Sequence, residues 1–292
     1  LGLLVAGLLA PAGLVVAASL WWLGGGDMGT LSRLVMLGAG YGIYFAIYGG
    51  LTLYASAAMR ASRAALVGMV GVWGLFSLVT PRVATEIAAT IAPLPSEAEW
   101  ARGVKVSLET GVDGSTTKDV AVEAIASDMM AAQGLSDTGM MVDENFMAGF
   151  ELQAESQWED GIYDHHMRDL EDRIAVQEAW VGRLGLLSPY VAMRSLSAGL
   201  CGTDFVHHRH FTDHAERWRK AMVNQLNVAF ADNAGAEGWS YRAGPELWKK
   251  VPAFEYAYPS ADLALRTHWV SIGTLLLWLA LALLLAFRSS RR

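Results

Sequence analysis

With one cysteine in 292 residues, Cys201, the chain cannot form an intramolecular disulfide, so any folded part outside a membrane is held by packing alone. It also has no nucleotide loop of the G-x-x-x-x-G-K-[ST] kind. Gly202-Thr203-Asp204 offers neither a glycine-rich phosphate cradle nor a following lysine, and reads as a helix break followed by an N-cap. Ser188, Ser195 and Ser197 lie in no G-x-S-x-G setting, and no H-E-x-x-H run occurs, which removes the simple serine-hydrolase and zinc-protease readings. There is no β-hairpin signal and no internal repeat.

Long apolar runs, by contrast, are plentiful. A bilayer span needs about 20 mostly apolar residues, and stretches at 1–23, 34–58, 64–80 and 269–287 meet or approach that length. None carries Asp, Glu, Lys, Arg or His near its middle, which argues against a proton relay or ion-coupled carrier built from these segments. The third is short, but Trp73, Phe76, Arg63 and Arg82 suit a tilted or snorkelled span. Charge follows the same division. Residues 84–262 hold 28 Asp+Glu against 14 Lys+Arg, while the remainder holds 8 Lys+Arg and the single acid Asp27. So acidic a domain is a poor nucleic-acid binder, because phosphate contacts need clustered bases.

Basic short loops stay in the cytoplasm. Arg60 and Arg63 between the second and third spans, and Arg288, Arg291 and Arg292 after the fourth, therefore lie inside, and 83–266 lies outside. The expected architecture is an all-α membrane protein with four transmembrane helices and a mostly helical extracytoplasmic domain inserted before the last one. Its segments are 1–82 with three spans, 83–266 as the acidic domain, and 267–292 as the last span and basic tail. Leu1 opens inside an apolar run, and the expectation is a chain missing an N-terminal portion.

Within the acidic region, Ser96 and Glu99 form a capping box for a helix over 97–109, and a second helix is expected over 117–133. A break at 134–139 precedes the most regular segment, 143–187, whose helical apolar spacing implies a rod of roughly 60 Å ended by Pro189. A further helix from 203 to 230 is expected to pack beside it. Trp158, Met167, Ile174, Phe211, Trp218 and Met222 are placed in the seam. Residues 251–258 read as a short strand or an extended lead-in to the last span.

Two side-chain groups are candidate sites. Tyr41, Tyr44 and Tyr48 fall on one face of the second span, where they could line a transport path or serve helix packing. His207, His210 and His214 fall at i, i+3, i+7 on one helix face, the kind of spacing that can hold zinc, but the remaining ligands of a site are missing. A surface or capping histidine cluster is the plainer reading, with no metal, cofactor or catalytic residue assigned.

The order Leu187-Ser188-Pro189, Arg194-Ser195-Leu196-Ser197, Gly202-Thr203-Asp204, His207-His208-Arg209-His210-Phe211 and Ala215-Glu216-Arg217-Trp218-Arg219 resembles a bacterial ABC-2-type permease family with a large uncharacterised extracytoplasmic domain. Pro93-Leu94-Pro95-Ser96 and the run from Leu247-Trp248 to Phe254 resemble it as well. The resemblance covers nearly the whole chain, whose four spans would correspond to the last four of six. It implies a non-enzymatic permease subunit of the bacterial cytoplasmic membrane, most consistent with export. A separate ABC ATPase and a second permease copy or a related permease would be its partners, with lipid around the spans. The alternative is a membrane-anchored extracytoplasmic sensor or interaction protein.

Overall fold

A computed structural model of the chain describes residues 13, 16–132 and 144–291. The expected first span, 1–23, lies largely outside the described residues, as does the expected break at 134–139. Among the described residues the chain is helical, with no strand. Its helices are α1 (Met28–Ala58), α2 (Ser62–Gly74), α3 (Thr80–Ile91), α4 (Glu97–Thr110), α5 (Lys118–Ala132), α6 (Glu144–Leu184), α7 (Pro189–Cys201), α8 (Phe205–Asn233), α9 (Pro245–Lys250), α10 (Ala261–Thr267) and α11 (Trp269–Ser290). The chain forms two compact units, and α6 and α8 contribute residues to both.

Unit 1 comprises 1–92, 175–209 and 258–292. Three of its helical segments, Met28–Ala58, Ser62–Ile91 and Trp269–Ser289, are long and apolar enough to cross a membrane, and little of their apolar surface is buried. Phe45, Leu53, Val67, Val70, Leu277 and Leu284 point outward, as suits helices of this length and composition in a bilayer. The protein is therefore a membrane protein.

Two spans run further than their apolar stretches suggested. α1 starts at Met28 because the Asp27 carboxylate caps it, accepting from the Thr30 amide at 3.0 Å. The third span continues past Thr80 to Ile91. Leu75–Val79 is a π turn, and the Thr80 amide and hydroxyl both donate to the Leu75 carbonyl. The wider turn accommodates Pro81, which has no N–H to give.

The core of unit 1 joins α1, α7 and α11 through Ile47, Ala192, Met193, Leu196, Leu200, Leu275 and Ala282. A Cβ at Gly50 would stand 3.0 Å from that of Ala282, so glycine lets α1 and α11 approach closely. α7 belongs to this unit although its sequence lies within the acidic region. The fully buried Ser188 caps it, accepting from the Val191 amide, and donates to the Phe76 carbonyl at 2.8 Å. Trp278 donates its indole N–H to the Leu186 carbonyl at 3.0 Å.

Unit 2 comprises 93–174 and 210–257. The Ser96–Glu99 capping box is formed at the start of α4. Trp158 of α6 donates to the Leu108 carbonyl at 3.2 Å, and His166 Nε2 lies 2.9 Å from the Ser107 hydroxyl. α6 and α8 do run side by side and antiparallel in this unit, but polar pairs bridge their seam. Gln153 meets Asn227 at 2.9 Å, Asp160 meets Arg219, and Asp164 meets Lys220 at 2.8 Å. Gly149 lies so close to Ala231 that any Cβ there would collide.

The apolar seam expected from periodicity is therefore only part of the contact. Trp158 reaches instead to α4, and Met167 and Phe211 are each 44% exposed. Phe211 and Trp218 stack edge-on against Phe254, in an extended 251–257 segment whose Pro252 carbonyl accepts the Trp218 N–H at 2.8 Å. Of the two readings of that segment, the extended lead-in is the one observed.

Candidate functional site

A polar cluster in unit 1 is assembled from three stretches remote in sequence around the turn between α7 and α8. Gly202 ends α7 in the left-handed region, φ +66°, and its amide returns to the Ala198 and Gly199 carbonyls. That conformation suits glycine, and here space demands it too: a Cβ at Gly202 would fall on the Tyr258 hydroxyl. The chain then reaches Asp204, which heads α8 and accepts from the His207 amide at 3.0 Å.

The Asp204 side chain is only 8% exposed and has a histidine at each oxygen. His207 Nδ1 lies 2.5 Å from Oδ1, and His268 Nε2 lies 2.7 Å from Oδ2. Burial opposes the charged form most strongly, but hydrogen bonds from His268, the His207 amide and the His207 ring together outweigh it. They hold the carboxyl well below the usual carboxylate range. His268 is the residue immediately before α11, so the pair ties the head of the last span to the α7–α8 turn. Gly199 makes this approach feasible, since a Cβ there would stand 2.5 Å from His268 Nε2.

A second tie is made by Arg33 of α1. Its guanidinium donates to the Leu200 carbonyl at 2.8 Å and the Pro259 carbonyl at 2.5 Å, and lies 4.8 Å over the Tyr258 ring. Tyr258 stacks on His207 and donates to the Cys201 carbonyl at 3.3 Å. Three segments that are remote in sequence are thus clasped at one end of α1 and α11.

The residues singled out by spacing alone have different surroundings. His207 is buried against Asp204. His210 faces the Tyr256 hydroxyl at 3.0 Å, and His214 Nδ1 lies 2.7 Å from the His210 carbonyl. Among the described residues no group of three or more His, Cys, Asp or Glu is arranged to hold a metal ion. On the tyrosine face of α1, Tyr44 and Tyr48 have ring centres 5.0 Å apart and Tyr44 packs against the core of unit 1, while Tyr41 approaches the Ser197 hydroxyl at 3.4 Å. Sequence reading gave no weight to His268, Gly199 or Tyr258. The available signal was a lone histidine at the head of an apolar run, paired with the lone arginine at the head of another.

Residues 116–257 match a family model described as a domain of unknown function (DUF3526), a stretch that takes in α5 to α9 and includes Asp204 and His207. No curated protein matches the chain, and no solved structure does.

Proposed function

We propose that the chain is the membrane-spanning permease subunit of an ABC-2-type transporter, with ATP hydrolysis in a separate chain. The observation that carries this reading is the position of α7. Helices that merely anchor a sensor domain need only reach across the bilayer. Here α7 is seated on the spans: Met193 lies against Gly40, and Ser188 at its head holds the Phe76 carbonyl within the span. Part of the sequence that resembles the permease family is thus built into the body of unit 1. The absence of any nucleotide loop in the sequence assigns the motor to a partner.

In this reading Arg60, Arg63 and the basic end of α11 face the cytoplasm, the acidic region is extracytoplasmic, and a second permease copy or a related permease completes the pathway. The test is co-expression with ATPase subunits encoded by neighbouring reading frames, followed by purification and reconstitution. A stable complex that hydrolyses ATP, and loses coupling when Gly40→Leu unseats α7, is the expected result. Failure to associate with any ATPase would refute it, provided that a version with the spans replaced by one unrelated helix still complemented a deletion.

A further inference from the structure

We infer that the buried Asp204 carboxylate is balanced by a proton on His268, forming a proton-dependent clasp between the head of α11 and the α7–α8 turn. A carboxylate this deeply buried needs a countercharge as well as donors. Among the described residues its side-chain partners are the two imidazoles alone.

The other charged and titratable groups around it are engaged elsewhere. Arg33 of α1 is directed to the Leu200 and Pro259 carbonyls, and the Tyr258 phenol to the Cys201 carbonyl. Arg266 and Asp262 of α10 pair with each other at 2.9 Å on the surface. Arg33 keeps its charge but does not touch the carboxylate, so the only cation that can meet Asp204 directly among the described residues is a protonated ring, and the neutralising proton is placed on one of the two.

The ring nitrogens distinguish them. His207 is 3% exposed and its Nε2 has no hydrogen-bond partner. A protonated His207 would bury an N–H of a cation with nothing to accept it, which carries the full desolvation penalty of that group. Neutral His207, donating from Nδ1 to Asp204, leaves only a bare acceptor against the Tyr258 ring, which costs far less. His268 donates from Nε2 to Asp204, and its side chain retains 13% exposure, so its second N–H has access to water. The clasp is thus a carboxylate–imidazolium pair with a neutral imidazole behind it.

Nitrogen-15 spectra of the histidine-labelled full chain in lipid bilayers test the assignment near pH 7. Parent-minus-variant spectra should show one imidazolium lost in His268→Gln. The same signal should be lost in Asp204→Asn, which keeps the carboxylate's shape and removes its charge, and retained in His207→Gln. An imidazolium that survives His268→Gln, or one lost instead in His207→Gln, overturns the assignment. For the clasp, the protection factor of the 261–268 amides, which is exchange corrected for its base-catalysed intrinsic rate, should fall roughly tenfold or more when raised pH removes that proton, the factor expected for losing a charge-assisted hydrogen bond. It should not respond to the same change in His268→Gln. Equal responses in the two proteins would refute the clasp.

Discussion

Gly199→Ala is the smallest perturbation that strikes the polar joint. The added methyl would stand 2.3 Å from His268 Cδ2, 2.5 Å from Nε2 and 3.3 Å from Asp204 Oδ2. The ring cannot yield by bending a flexible end, as a methionine could, so His268 must leave Asp204 or α7 must shift away from α11. Overpacking of this kind costs about 1–3 kcal/mol, and loss of a hydrogen bond to a charged group adds about 1.5–3 kcal/mol. The better helix propensity of alanine returns about 0.5–1 kcal/mol, leaving a net destabilisation of roughly 2–5 kcal/mol. For a protein of this size that corresponds to a Tm drop of about 4–20 °C, read by thermal unfolding of the full chain in nanodiscs. Gly42→Ala is the control, because a Cβ there meets nothing within 4 Å, and its Tm should match the parent or rise by about 1–4 °C from the helix propensity of alanine. A Gly199→Ala protein that melts with the parent would show that His268 and Asp204 do not hold unit 1 together.

Ser188→Ala removes a fully buried hydroxyl that both caps α7 and holds the Phe76 carbonyl, and should destabilise by about 2–3 kcal/mol in the same assay; an effect below about 0.5 kcal/mol would remove α7 as a fixed part of the membrane unit. In a Cys201→Ser background, membrane-impermeant thiol reagents should reach a cysteine introduced at Ser115 from outside the cell but not one at Ser62, and the opposite pattern would invert the topology. His166 carries a pKa lowered by burial first and by His165 second, with Asp169 opposing, so its unfolded form binds protons more readily. Its contribution is therefore fully present above the unfolded imidazole value of about 6.5 and declines as pH falls through that value. His166→Gln should flatten the acid side of the stability profile, and an unchanged slope would refute this.

The apolar runs determined most of what makes this a membrane protein. Lipid imposes a length and a composition that can be read without coordinates, and α11 was placed to within a few residues by that rule. Local signals were equally legible where the interacting groups are near in sequence. The Ser96–Glu99 box and the Pro189 stop depend on atoms within one turn, so sequence spacing fixes them. The third span shows the limit of that reasoning: hydrophobicity falls at Pro81, but a π turn and the Thr80 hydroxyl keep the helix continuous to Ile91.

Only tertiary structure decided which helix faces meet. The periodicity of α6 and α8 made them neighbours, yet Gln153–Asn227, Asp160–Arg219 and Asp164–Lys220 put polar groups into a seam expected to be apolar. Periodicity reports which residues prefer burial and is silent on which polar groups can satisfy one another. The same holds for the histidines. Spacing grouped His207, His210 and His214 on one face, whereas folding pairs His207 with Asp204 and brings in His268 from 61 positions further along. No local pattern encodes a contact across that separation. It exists because Gly199 and Gly202 leave room for His268 and Tyr258, and because a buried carboxylate must find its donors wherever the fold delivers them.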